Sequence, residues 1–285
     1  MGLIDLILNL AGVLLWLGWR SFRLDPLGRT TPATLIGTLR RAEPRRLQGW
    51  QFLVGLSLLL VLRSLLYRHV AFTVDWTPKL DLFFVVLAFP AAAFPAVLVY
   101  SVLSFIRILL VCYFWGLALL VLNRGLAESD PLQRMLRQQF GFVARWPRWV
   151  QVLLPLAGVT LLWMALHPLL VYLGISSPGR SVARLAEQGL LLGLALFLTL
   201  QYLLPLFLLL SLVASYVYLG ANPLWDFVSA TAANLLRPMR GWPLRLARFD
   251  FSPMVGVLLL LLLLHWLPNF ILARLAENHV ALWPQ

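Results

Sequence analysis

The chain has 285 residues, 61% of them hydrophobic and 12% charged. That is about half the roughly 25% charge of soluble proteins, so a fold dissolved in water is excluded and lipid becomes the solvent. The net charge of +12 rests on 22 arginines and Lys79, an excess that orients a membrane chain and meets anionic headgroups without implying direct nucleic-acid readout. A single cysteine, Cys112, rules out an intrachain disulfide or a cysteine cluster.

Crossing a hydrocarbon core of about 30 Å takes about 20 apolar residues in a helix. Six stretches meet this, near 3–19, 51–68, 98–122, 149–172, 188–219 and 253–273. The first is read as a retained span: no basic segment precedes it, and Trp16, Trp19 and Arg20 follow it where a cleavage site would stand. Residues 80–97 open with charge at Lys79 and Asp81 and carry Pro90 and Pro95, which limits continuous helix. They read as an interfacial or re-entrant piece leading into the third span.

Six spans put segments 20–50, 123–148 and 220–252 on one side with sixteen arginines, against five basic residues on the other. Lys and Arg concentrate on the cytoplasmic side of membrane proteins, so the sequence predicts both termini outside the cytoplasm. Counting 80–97 as a full span would move two of the three arginine-rich loops outside.

Each predicted cytoplasmic segment opens alike, with Asp25-Pro26-Leu27, Asp130-Pro131-Leu132 and Asn222-Pro223-Leu224. A capping side chain before a proline is a helix-start signal. Fifteen positions on stands an arginine each time, Arg40, Arg145 and Arg237. Apolar residues at helical spacing lie between, as in Leu224, Phe227, Val228, Thr231 and Leu235. That stripe predicts a helix lying flat in the headgroup boundary, with Arg240, Arg245 and Arg248 extending its basic end. At a constant offset of 98, Pro155, Gly158 and His167 match Pro253, Gly256 and His265. The expected architecture is all-α, a polytopic transmembrane helical protein of about six spans in repeated span–amphipathic helix–span units. Its parts are an N-terminal region 1–97 and two units, 98–183 and 184–285.

The stretch Asn222-Pro223, Leu236-Arg237-Pro238-Met239-Arg240 and Asp250-Phe251-Ser252-Pro253-Met254-Val255 resembles the signature of the YggT (YlmG) family of small bacterial and plastid membrane proteins. The likeness covers about 188–273 and, less closely, 100–172, where Trp146 replaces Pro238 and Val152-Leu153-Leu154-Pro155 replaces the Asp-Phe-Ser-Pro string. The resemblance implies an integral inner-membrane protein of a family with no assigned catalytic activity. It also implies an association with cell division, osmotic or ion homeostasis, or assembly of a b-type cytochrome.

His167 and His265 would lie at equal depth in a duplicated chain and could ligate haem or a metal; the alternative is hydrogen bonding to water or headgroups at the outer interface. Asp5, Arg63 and Arg107 are ionisable groups within or at the edge of spans, where charges are costly and commonly paired. The sequence therefore predicts either a pair between Asp5 and one of the arginines or snorkelling of the arginines. No nucleophile–base set, phosphate loop or metal motif occurs, and Ser101, Ser104 and Ser211 sit in apolar runs. Asp250 or Ser252 is expected to cap the sixth span ahead of Pro253.

Function is thereby expected to be non-enzymatic: a multi-pass scaffold or assembly factor whose arginine-ended helices meet lipid or an unidentified protein partner. A transporter or channel component is the competing class, and a haem-handling factor a third.

Overall fold

The computed structural model describes residues 2–24, 49–74, 76–125, 131–178, 181–217, 222–237, 245–246, 249–250, 254–263, 266 and 270. Its helices are α1 (Gly2–Leu24), α2 (Gly49–Val74), α3 (Phe94–Leu122), α4 (Pro131–Phe140), α5 (Arg148–Tyr172), α6 (Val182–Leu198), α7 (Leu200–Tyr216), α8 (Pro223–Leu235) and α9 (Met254–Leu263), with a 3₁₀ helix over Gly141–Arg145. Four short strands form two hairpins, β1 (Lys79–Asp81) with β2 (Val86–Ala88) and β3 (Arg245–Leu246) with β4 (Phe249–Asp250). The protein is nearly all-α and polytopic in kind. Among the described residues, five helices are long and apolar enough to cross a membrane, namely α1, α2, α3, α5 and the apolar stretch Val182–Ser215. The sixth predicted span is described over Met254–Leu263.

The chain packs as two compact units, residues 1–81 with 86–110, and residues 82–85 with 111–285. In the first, α1 and α2 run side by side. Glycines set how closely the helices approach: a Cβ on Gly18 would lie 2.7 Å from the Phe52 ring, and one on Gly12 would lie 3.0 Å from Phe105 of α3. In the piece read as interfacial or re-entrant, residues 79–88 form the β1–β2 hairpin, with Leu80 opposite Leu87 and both buried. Phe89 N–H closes back on the Pro78 carbonyl at 2.9 Å. Helix α3 then starts at Phe94 with Pro95 in its first turn, where the missing N–H has no intrahelical partner to lose. Arg107, thirteen positions further along α3, donates to the Asp81 carbonyl of β1. The hairpin therefore folds back along α3, and a backbone oxygen that lipid could not satisfy is met by a guanidinium.

In the second unit the closest helix pair is α5 and α6. A Cβ on Gly189 would lie 2.8 Å from Thr160 Cα, and one on Gly193 would lie 3.2 Å from Leu156 Cα. This Gly-x-x-x-Gly face lets two backbones meet where lipid supplies no hydrophobic drive for association. Trp163 Nε1 joins the same pair by donating to Gln188 Oε1 at 3.1 Å. The predicted span 188–219 is longer and broken. It begins at Val182, where the Ser181 side chain accepts from Arg184 N–H, and it interrupts at Thr199. Pro205 removes one i→i−4 bond in the second turn of α7, and the chain tightens there with Tyr202 N–H bonded to the Thr199 carbonyl. Trp115 of α3 donates to Thr199 Oγ1 at 3.0 Å, fixing the break.

Helix starts follow their local chemistry. Asn222 caps α8 by accepting from Leu224 N–H at 3.0 Å, with Pro223 in the first turn. Pro131 opens α4. Asp130, Asp25 to Leu27, Arg40, Ser252 and Pro253 lie outside the described residues. The cap expected at Asp250 or Ser252 falls at a junction, residues 251–253, that lies outside the described residues. Asp250 itself stands in β4, in antiparallel register with Arg245 of β3.

Candidate functional site

Polar side chains in an apolar bundle must find partners, so the best-furnished polar groups mark the places worth reading as sites. Among the described residues two such centres stand out, one in each unit.

The first is built on Arg63 of α2. Asp5 and Asn9 stand one turn apart on α1, and Tyr100 and Ser104 stand one turn apart on α3, so both helices offer two polar groups on one stripe. Arg63 donates from Nη2 to Asp5 Oδ1 at 2.6 Å and to Ser104 Oγ at 2.9 Å, and from Nη1 to Asn9 Oδ1 at 2.7 Å. Asn9 Nδ2 also donates to Ser104 Oγ, at 3.1 Å. Asp5 collects further donors from the hydroxyls of Tyr67, one turn beyond Arg63, and Tyr100. The two tyrosine rings lie beside the guanidinium, with their centroids 5.3 and 5.8 Å from Arg63 Cζ. Trp76 packs edge-on to Tyr67, and Phe89, just past the hairpin, packs on Tyr100. The Arg63 side chain is sealed, whereas that of Asp5 keeps 21% of its exposure. Among the described residues no partner reaches Arg63 Nε.

Chemically this is a neutral, closed charge pair with a hydrogen-bonded shell. It fastens three helices and holds no free base or nucleophile. Of the expected pairings, Asp5 takes Arg63, and Arg107 goes to the Asp81 carbonyl. Sequence reasoning did not find Tyr67 and Tyr100, and it placed Ser104 in an apolar run without a partner. Their signal was the spacing: Arg63 and Tyr67 repeat the four-residue step of Asp5 and Asn9, and so do Tyr100 and Ser104.

The second centre is built on Asn123, the residue after α3. It is fully buried, as are Gln133 of α4 and Thr231 of α8. Asn123 Nδ2 donates to Thr231 Oγ1 at 2.7 Å, Asn234 Nδ2 donates to Asn123 Oδ1 at 3.0 Å, and Gln133 Nε2 donates to the Asn123 carbonyl at 3.1 Å. Tyr113 and Gly116 of α3 complete the seat for α4, with Phe140 edge-on to Tyr113. The two short helices that the sequence placed on one side of the membrane are thus tied to one residue. This corrects the expected headgroup stripe of α8. Phe227, Val228 and Thr231 are buried in protein, with Phe227 against Phe207 of α7, and only Leu224 of that stripe is strongly exposed.

The described arginines Arg134, Arg145 and Arg237 are not among the residues that bond Asn123. Arg145 ends the 3₁₀ helix and Arg237 follows α8, both exposed, as is Arg134 of α4. Arg245 lies in β3, and Arg240 and Arg248 lie outside the described residues. His167 is buried in α5, with its ring edge-on to Trp163. His265 lies outside the described residues, so the expected haem pair is not assembled among them. No group of three or more metal-ligating side chains occurs among the described residues.

Of the matched prolines, Pro155 lies seven residues inside α5, and Pro253 lies outside the described residues. The matched glycines differ in setting. A Cβ on Gly158 would meet nothing within 4 Å, whereas one on Gly256 would lie 2.6 Å from Leu236. Comparison with protein-family models, with curated proteins and with solved structures gives no match.

Proposed function

We propose that the protein is a non-enzymatic multi-pass scaffold of the cytoplasmic membrane, acting through the platform that α4, the 3₁₀ helix and α8 form around Asn123. The observation carrying this reading is the buried amide–hydroxyl network that ties α4 and α8 to a single residue while Arg134, Arg145 and Arg237 stay exposed. A fixed frame with cations on its outside suits docking. The positive-inside bias directs it to the cytoplasm and both termini to the other side. The duplicated, YggT-like organisation is part of the same proposal and rests on the sequence strings alone. The polar groups of both centres bond to each other or to backbone rather than lining a path, which favours a scaffold over a transporter.

The test replaces Arg134, Arg237, Arg240, Arg245 and Arg248 with Gln and follows insertion, topology and complementation of a deletion strain together. The expected result is a correctly inserted protein that fails to complement. Full complementation with unchanged topology would leave these arginines as orientation signals and end the scaffold reading.

A further inference from the structure

Burial of the α8 stripe removes that helix from the headgroups, yet the chain keeps an exposed basic and aromatic surface close by, at the corner between the 3₁₀ helix and α5. Phe142 is 64% exposed and Trp149 is 67% exposed, and each is one or three positions from an exposed arginine, Arg148 beside Trp149 and Arg145 after Phe142. Such side chains would be costly in water and badly placed deep in lipid. They suit the interface, where aromatic rings enter the acyl boundary and guanidinium groups stay among phosphates.

The depth agrees. Helix α5 has 25 residues, about 37 Å at 1.5 Å per residue, so it overruns a core of about 30 Å, which leaves length for its first turn to lie among headgroups. The corner is also held in shape. Gln151 Nε2 donates to the Val143 carbonyl at 2.8 Å, and Phe142 packs edge-on to Trp146 with centroids 4.6 Å apart. Arginine is the cation whose planar fork suits a phosphodiester, and between Asp130 and Glu187 the sequence has no acidic residue to neutralise the pair.

From these observations we infer that the Phe142–Trp149 corner binds the phosphate of an anionic phospholipid, with Arg145 and Arg148 on the headgroup and Phe142 and Trp149 along the upper acyl chain. The orientation is that of the scaffold reading, and the lipid contact would seat the platform at a fixed height on the leaflet.

The test uses the full-length protein purified in mild detergent, with phosphatidylglycerol, phosphatidylcholine or glycerol phosphate added, and counts retained ligand by native mass spectrometry. Wild type should retain phosphatidylglycerol well above the other two. Arg145→Gln with Arg148→Gln should weaken its retention about 30-fold, the equivalent of roughly 2 kcal/mol for two arginines at an anionic surface. The Arg→Lys pair should keep most of it, and Trp149→Ala should weaken both lipids alike. An unchanged melting temperature without lipid shows that the variants fold. Equal retention of both lipids, equal binding of glycerol phosphate, or no loss in the Gln pair would overturn the inference. No loss in the Gln pair is also what a corner built for an acidic protein segment would give. None of these readouts depends on complementation, so the scaffold reading can fail while this one stands, and the reverse.

Discussion

Asp5 and Arg63 neutralise each other, but they do not share the cost of burial equally. The guanidinium is sealed, while the carboxylate keeps part of its exposure and two tyrosine donors. Removing Asp5 leaves a buried cation without its counter-ion, a loss of about 3–5 kcal/mol for such pairs. Removing Arg63 leaves a carboxylate that is only part-buried and still hydrogen-bonded to Tyr67 and Tyr100. Asp5→Leu should therefore lower the detergent melting temperature clearly more than Arg63→Met, and a reversed order would contradict the geometry. A charge pair was legible in the sequence because Asp5 is an acid within an apolar run. Which arginine it takes was not, because Arg107 differs from Arg63 only in its neighbour, a hairpin carbonyl that no periodicity announces.

Among elements, the long helices were readable from apolar length, since lipid forces internal hydrogen bonding on every spanning segment. What escaped depends on contacts between elements. The Gly189-x-x-x-Gly193 spacing was visible, but only the packing shows that it faces α5 instead of lipid. The α8 stripe likewise reads the same whether it meets headgroups or Phe207. Two substitutions check these placements. Gly189→Ala should cost about 1–3 kcal/mol through overpacking against the Thr160 backbone, whereas Gly158→Ala, with open space around it, should be neutral or slightly stabilising. Equal effects would place the α5–α6 contact elsewhere. Asn123→Leu should raise hydrogen exchange in α4 and α8 together, since both bond to that residue; a change in one helix alone would show that they are not joined through it.

For the whole molecule, the account turns on sidedness. Tying α4 and α8 to Asn123 puts them on one side of the membrane, which needs an even number of crossings between them. Helix α5 and the stretch Val182–Ser215 supply two. The proposed orientation, taken from the arginine tally, assigns that side to the cytoplasm. The direct measurement is labelling of single cysteines with a membrane-impermeant maleimide in intact cells, in a Cys112→Ser background. Cysteines at Gln138 of α4 and Ser229 of α8, both exposed, should be protected until the cells are permeabilised, while one at Ser177 after α5 should label at once. Labelling of 138 and 229 from opposite sides, or of 177 from the same side as 138, would contradict the platform and the scaffold built on it.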